Sequence, residues 1–204
     1  DVSRTDSDSN KFIDTVQNVV KSSFIPVAVG GGIKRLKDVD QLIRSGADKV
    51  VINSMFYSNP DEIKKITSKY GIQSVIASID YKRNKNFDEV YINNGSKKIE
   101  IDLVEHIKRV IDVGVGEILL NSMDQDGTGQ GFDLDVINRI GDIKNTSLII
   151  SGGAGRVDHF SEALILDYDA ASTANLFNFI GDGLRCSRED LMAKKINIPV
   201  FDRD

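Results

Sequence analysis

Two short glycine-rich turns are the segments of this sequence best suited to binding phosphate. Residues 30–32 follow one apolar run, and residues 152–153 follow another. Glycine lets the backbone approach a ligand closely, and bare amides at the start of a following helix point towards an anion. Glycine also serves simply to close tight turns, so one such turn alone would decide little. Two matching turns favour a substrate that carries a phosphate at each end.

Asp80 is the candidate for acid–base chemistry, because it directly follows the apolar residues 74–79. A carboxylate at a strand end acts as a general acid or base when its surroundings raise its pKa. Taken alone, Asp80 is better explained as a helix cap or as an ion-pair partner of Lys82 or Arg83. The other residues at predicted strand ends are Asn53, Ser54, Asp124, Asp126, Gly127, Thr128, Ser151, Ala174 and Asn175. We expect no metal site, because no histidine lies near the aspartates and their spacing is not that of a calcium loop.

The elements that must position these residues alternate between short apolar strands and amphipathic helices. The pattern predicts strands at residues 26–29, 49–53, 74–79, 118–121, 148–151 and 170–174, each followed by a helical pattern. A small β-hairpin at residues 90–99 interrupts the alternation. Strands separated by single helices form a parallel sheet, and no linker divides the chain. We therefore predict one α/β domain over residues 1–204.

The two glycine-rich turns belong to an internal repeat. Residues 26–34 resemble residues 148–156, and each copy is followed by a helix and by a strand that ends in asparagine. The copies lie about 121 residues apart, so two complete halves would need roughly 240 residues, which is the size of a (β/α)8 TIM barrel. The chain supplies only six predicted strands. We therefore expect a barrel that lacks roughly its first two βα units, with active-site residues where strands end.

The amino-acid composition limits the classes of ligand and partner that the chain is expected to bind. The 204 residues include 26 Lys and Arg against 31 Asp and Glu, a net charge of −5, which gives no general reason to bind nucleic acid. The single cysteine, Cys186, excludes an intrachain disulfide and a thiolate metal cluster. His106 and His159 fall in helical patterns, where surface or packing roles are expected. The apolar runs are strand-sized, so we expect no membrane span and a cytoplasmic protein.

Six segments together resemble the HisF family, the cyclase subunits of imidazole glycerol phosphate synthase. They are VAVGGGI at 27–33, GADKV at 46–50, VIASID at 75–80, GEILLNS at 116–122, DGT at 126–128 and SGGAG at 151–155. The inserted hairpin also fits. The resemblance implies a (β/α)8 barrel without metal or organic cofactor. It also implies a heterodimer with the glutaminase subunit HisH, which supplies ammonia through the barrel interior.

The reaction implied by the resemblance joins ammonia to a bis-phosphorylated phosphoribulosyl-formimino-aminoimidazole carboxamide ribotide. The products are imidazole glycerol phosphate and an aminoimidazole carboxamide ribotide, and two aspartates at opposite strand ends act as acid and base. Asp80 matches one of these aspartates. The expected second aspartate has no counterpart in the chain, so we expect a fragment, or a protein completed by strands from another chain.

The resemblance also assigns the remaining candidate residues. One phosphate site is matched by Gly32, Asn53 and Ser54, and the other by Asp126, Gly127, Gly153, Ala174 and Asn175. Asn175 replaces the usual serine, which preserves the site if the backbone amide makes the contact. Thr128 and Ser151 are expected near the substrate. Lys49 and Glu117 match a charged gate at the ammonia entrance, although their positions at strand starts would alone indicate an ion pair that serves stability.

Three other interpretations stay open. The first is a HisF-like subunit that works with an amidotransferase on a surface-polysaccharide sugar, which would not need two phosphate sites. The second is the sister isomerase HisA, against which the hairpin and the Ser-Ile-Asp strand end argue. The third is a non-catalytic barrel remnant that only binds a partner.

Overall fold

Short strands and amphipathic helices alternate along the chain, as the sequence predicts. The computed structural model describes residues 9–85, 87–141, 143–166, 168–174, 176–178 and 183–199. The helices are α1 (Ser9–Ser22), α2 (Leu36–Arg44), α3 (Met55–Ser58), α4 (Pro60–Tyr70), α5 (Leu103–Val113), α6 (Val136–Ile140), α7 (Val157–Ile165) and α8 (Gly183–Ala193). The strands are β1 (Ala28–Gly30), β2 (Lys49–Ile52), β3 (Val75–Lys82), β4 (Glu89–Ile92), β5 (Lys97–Asp102), β6 (Glu117–Ser122), β7 (Ser147–Ser151) and β8 (Ala170–Ala171).

Local sequence explains the helix limits. Asn59 precedes α4 and Pro60 is its first residue, where the missing amide hydrogen costs nothing. The Asp102 carboxylate accepts a hydrogen bond from the Glu105 amide at 2.8 Å and so caps α5. Gly71 ends α4 with a φ of 85°, a conformation that favours glycine. The short α3 is not predicted by the periodicity, because four residues are too few to show it.

Six strands form one parallel sheet in the order β1-β2-β3-β6-β7-β8, which confirms the predicted parallel α/β architecture. Helices cover one face of this sheet, where Val50, Ala77, Ile118, Leu120 and Ile150 are fully buried. Burying an aliphatic side chain of this size stabilises the fold by about 1.5–3 kcal/mol. A parallel sheet with a covering helix after most strands is consistent with the wall of a (β/α)8 barrel.

The opposite, inner face of the sheet is only half-buried. Its side chains alternate with the buried ones and include Val51, Ser78, Leu119 and Ile149. Within the described ranges no pairing joins β1 to β8, so the sheet has two unpaired edges there. The inner face, which we call the groove, is therefore open. Apolar side chains lie in its middle, and polar or charged side chains lie at both ends of the strands.

The predicted hairpin is confirmed as β4 and β5, which pair antiparallel with each other. It also extends the sheet, because β4 pairs with β3 through Asp80↔Tyr91, Tyr81↔Val90 and Lys82↔Glu89. β3 consequently continues two residues beyond Asp80, where the sequence predicted its end. β2 does not reach the carboxyl end of β3. The hairpin pairs with the part of this edge of β3 that extends beyond β2.

Nothing in the part of the chain that the structure describes resembles a membrane span, since none of its helices combines the necessary length with the necessary hydrophobicity.

Candidate active site

Asp80 lies on the inner face near the carboxyl end of β3, between two asparagine side chains from the neighbouring strands. The Asn53 amide, directly after β2, donates to Asp80 Oδ2 at 3.1 Å. The Asn121 amide, in β6, donates to Asp80 Oδ1 at 2.9 Å. Each carboxylate oxygen therefore accepts one hydrogen bond, and the two donors together fix the orientation of the carboxyl group. Asp80 forms no ion pair with Lys82 or Arg83, so the non-catalytic role expected for it as an ion-pair partner is absent.

The environment raises the pKa of Asp80 above the ordinary aspartate value. Desolvation is the main cause, and the negative charge of Asp126 acts in the same direction. The hydrogen bonds from Asn121 and Asn53 oppose the shift, because they stabilise the ionised form. Asp80 thus combines fixed geometry with a pKa moved towards neutrality, which is what a proton-transferring carboxylate requires.

Asn121 is a residue that sequence reasoning missed as part of the site. It is the last residue of the predicted strand 118–121, so the rule that selected Asn53 would also have selected it. The decisive information is the register, in which Asp80 pairs with Asn121 and Asn121 pairs with Ser151. This register brings the predicted residue Ser151 to the inner face beside the Asp80 site.

We expect Asn121→Ala to raise the pKa of Asp80 further, because it removes a donor to the ionised carboxylate. Carbon-13 NMR titration of the Asp80 carboxyl in wild type and variant measures the effect. Asn138→Ala, which removes an exposed asparagine from α6, should leave the titration unchanged. An Asp80 pKa that is equal or lower in Asn121→Ala would show that Asn121 does not stabilise the charge.

The first glycine-rich turn is packed at Gly30, where a Cβ would lie 2.5 Å from the Val51 carbonyl oxygen, and open at Gly32. Gly32 is exposed with a φ of 65°, and a Cβ there would meet no atom within 4 Å. The helix that follows does not begin with bare amides: the Lys34 and Arg35 amides donate to Asp38, and the Leu36 amide donates to Glu62 at 2.8 Å. Any anion at this turn must be bound by groups other than these three amides, which corrects the expectation for the start of α2.

The second turn is packed. A Cβ on Gly153 would lie 2.0 Å from the Gly131 carbonyl oxygen, and the Gly131 amide donates to the Gly153 carbonyl at 2.8 Å. The Gly155 amide donates to His159 Nδ1 at 3.1 Å. His159 is buried, so its role here is to hold the turn, in agreement with the predicted packing role. Glycine at 153 is thus required for contact between this turn and the loop after β6.

Five further predicted residues lie at the same end of the sheet as Asp80: Ser54, Asp126, Gly127, Thr128 and Ala174. Ser54, after β2, accepts from the Asn93 amide at 3.0 Å and so ties the hairpin turn to the end of β2. Asp126, Gly127 and Thr128 are exposed in the loop after β6, and Ala174 is exposed after β8. Asn175 lies outside the described residues.

A buried ionic cluster holds the hairpin and the loop after β6 in place. Arg139 in α6 donates to Asp88 at 2.6 Å and to Asp133 at 2.5 Å, and both carboxylates are only 5% exposed. Tyr81, on the opposite face of β3 from Asp80, donates to Asp133 at 3.1 Å. The cluster therefore connects β3, α6 and the two segments that border the site.

Lys49 and Glu117 lie at the other end of the groove, at the starts of β2 and β6. Lys49 Nζ donates to Glu117 Oε1, so the two side chains form an ion pair. Both side chains are on the inner face and partly exposed. The structure therefore separates a charged pair at the amino ends of the strands from the Asp80 site at the carboxyl ends.

Comparison with known proteins agrees with this architecture. The family described as histidine biosynthesis protein matches residues 1–180. Imidazole glycerol phosphate synthase subunit HisF of Pyrobaculum aerophilum is 44% identical over 168 residues, which cover 82% of this chain and 66% of that protein. The HisF subunit of Exiguobacterium sibiricum is 37% identical over 198 residues, or 97% of this chain and 80% of that protein.

A protein named as subunit hisF2 of the same synthase, from Parasynechococcus marenigrum, is 42% identical over 190 residues, or 93% of this chain and 71% of that protein. The chain thus spans 66% to 80% of the lengths of these three relatives. With a family match over most of the chain and relatives of this similarity, the chain belongs to the histidine biosynthesis protein family, in its HisF group.

Proposed function

We propose that this chain is the cyclase of an imidazole glycerol phosphate synthase and that Asp80 transfers protons in its reaction. Ammonia would react with phosphoribulosyl-formimino-aminoimidazole carboxamide ribotide to give imidazole glycerol phosphate, aminoimidazole carboxamide ribotide and one water molecule, which carries away the oxygen lost on ring closure. Cleavage of a carbon–nitrogen bond without water makes this a lyase reaction. The observation that carries the proposal is the Asp80 carboxylate held between Asn53 and Asn121, in a chain of the HisF group.

The chemistry needs a group that takes a proton from the attacking nitrogen and a group that returns one to the leaving nitrogen. Asp80 suits the first role because the two asparagines fix its orientation while desolvation raises its pKa. A second carboxylate across the groove would suit the other role. We propose that the two open edges of the sheet are closed by two further βα units that carry this second aspartate.

The two phosphates of the substrate would bind on either side of Asp80. Gly32, Asn53 and Ser54 form the first proposed site, which is supported by the open space at Gly32. The second proposed site consists of Asp126, Gly127, Gly153, Ala174 and Asn175, with Thr128 and Ser151 near the substrate. Because Asp126 carries a negative charge, backbone amides of its loop rather than its carboxylate would contact the phosphate.

The inner face provides a route for ammonia between its two ends. Val51, Leu119 and Ile149 lie between the Lys49–Glu117 pair and the Asp80 site. Neutral ammonia can pass along such apolar side chains at a much lower desolvation cost than a charged molecule. We propose that the Lys49–Glu117 pair is the gate of this route. The glutaminase HisH would then dock at the amino ends of the strands and form a heterodimer with this chain.

The second candidate function is the sugar amidation that the sequence leaves open. In that case the chain would be a HisF-like subunit that works with an amidotransferase to amidate a surface-polysaccharide sugar. Such a sugar lacks the two terminal phosphates, so affinity for the bis-phosphorylated ribotide separates the two functions.

The test of the proposal is turnover of the bis-phosphorylated ribotide by the full-length protein supplied with an ammonium salt. We expect release of imidazole glycerol phosphate, measured by chromatography, with a KM in the range from about 1 μM to 1 mM that is usual for enzymes. Absence of turnover together with weaker binding of the ribotide than of a nucleotide-activated sugar would favour the second function. A protein that bound neither compound would contradict both.

A further inference from the structure

Lys82 is the last residue of β3 and lies on the same face as Asp80. Side chains alternate along a strand, so positions 80 and 82 point to one side and are about 6–7 Å apart along the chain. Tyr81, between them, points to the opposite face and contacts Asp133. The pairing of Lys82 with Glu89 and of Asp80 with Tyr91 places the hairpin beside both residues. Lys82 therefore borders the groove directly above Asp80.

The acid opposite Lys82 is already engaged. The Glu89 carboxylate accepts hydrogen bonds from Asn84 at 2.9 Å, from Tyr91 at 2.9 Å and from Lys98 at 3.2 Å. Asp124, in the adjacent loop, accepts from the Arg83 amide at 2.7 Å. Within the described ranges, Lys82 forms no ion pair with an acidic side chain. Its positive charge is thus not neutralised by the acids around the groove.

The Tyr91 ring holds this charge in position. Lys82 Nζ lies 5.2 Å from the ring centroid, within the range of a cation–π interaction. The Tyr91 hydroxyl donates to Glu89, which fixes the ring in turn. A ring face attracts an ammonium group but accepts no conventional hydrogen bond, so the N–H donors of Lys82 are available to a ligand. Lys82 is half-buried, and a partly desolvated ammonium gains strongly from a bound anion.

We propose that Lys82 is a substrate-binding residue that contacts a phosphate group of the substrate at the hairpin side of the Asp80 site. This inference rests on the proposed function and adds to it the only cation among the residues assigned to the substrate. Lysine suits the role because its compact charge and three donors bind phosphate without a fixed orientation. Lys82 binds the substrate and takes no part in proton transfer, so its loss affects KM rather than kcat.

The test compares Lys82→Gln with wild type in the ammonium-supported reaction of the full-length protein. We expect KM for the bis-phosphorylated ribotide to rise about 10- to 100-fold, the loss typical of a hydrogen bond to a charged group, with kcat changed less than about threefold. Lys82→Arg should retain most of the affinity. A KM within about twofold of wild type, or a fall in kcat at unchanged KM, would overturn the proposal.

A control variant separates ligand binding from general charge. Lys97→Gln removes the same charge from the exposed start of β5 and should leave KM unchanged. A rise in KM with Lys97→Gln equal to that with Lys82→Gln would show a long-range charge effect and would contradict a direct contact.

A titration with inorganic phosphate keeps this inference distinct from the proposed function. If wild type does not convert the ribotide, the proposed function fails, and the affinity for inorganic phosphate still tests Lys82. The inference requires tighter phosphate binding by wild type than by Lys82→Gln, measured by NMR shifts of the residues around β3. Equal affinities would overturn it.

Discussion

Replacing Asp80 with asparagine should lower kcat for the ammonia-dependent reaction by about 10²- to 10⁴-fold, the contribution usual for a positioned general acid or base. Asparagine keeps the size of the side chain and its place between Asn53 and Asn121, but it cannot accept a proton. The substrate contacts proposed at the glycine-rich turns remain, so KM should change little. Turnover measured with saturating ammonium and ribotide tests this expectation.

The control for Asp80→Asn must exclude loss of folding. Burial raises the pKa of Asp80, so the stability contributed by its neutral form is present at acid pH and is lost as the pH rises through the folded-state pKa. Asparagine is neutral at every pH, and the variant should therefore not have a lower Tm than wild type at neutral pH. Asp112→Asn, on the exposed side of α5, should leave turnover unchanged. Normal turnover by Asp80→Asn would disprove the mechanism.

Arg139→Met should destabilise the protein by about 3–5 kcal/mol, the effect of removing one partner from a buried ion pair. Arg139 bonds both Asp88 and Asp133. The variant leaves the buried Asp88 carboxylate without this counter-charge, and Asp133 keeps only its longer ion pair with Arg83 at 3.7 Å. Among the residues that the structure describes, Asp88 Oδ1 already has no hydrogen-bond partner. The free energy of unfolding from urea denaturation of the full-length protein measures this loss.

Arg109→Met is the matched control for this prediction. Arg109 pairs with Glu105 four residues earlier on α5, at 2.5 Å, but both side chains are more than half exposed. An exposed pair of this kind contributes about 0.3–0.5 kcal/mol. Equal losses of stability in Arg139→Met and Arg109→Met would mean that the buried cluster does not hold the hairpin and the loop after β6.

The parallel sheet could be predicted because its strands are short apolar runs separated by helices with clear start and stop signals, such as Pro60 and Gly71. The hairpin was predicted from its Asn-Asn-Gly turn at residues 93–95. The pairing of the hairpin with β3 was not predicted. Whether a hairpin strand pairs antiparallel with a strand of a parallel sheet depends on the loop that joins the two strands, and not on the periodicity of either one.

The contacts of the site depend on register and on distant elements. Asp80 and Asn121 meet because β3 and β6 pair in one register, which a strand pattern with a period of two residues does not specify. The Leu36 amide bonds Glu62 from α4, a contact between two helices that no local sequence signal indicates. Asp80 itself could be selected as a polar strand end, whereas its hydrogen-bond partners required the structure.

The proposed mechanism requires the ionised Asp80 carboxylate to accept a proton during the reaction. The pH dependence of kcat/KM for the ribotide, at a fixed concentration of free ammonia, measures this step. We expect activity that falls on the acid side with an apparent pKa above that of ordinary aspartate, and a shift of this limb to higher pH in Asn121→Ala. An acid limb at the same pH in wild type and Asn121→Ala would contradict it.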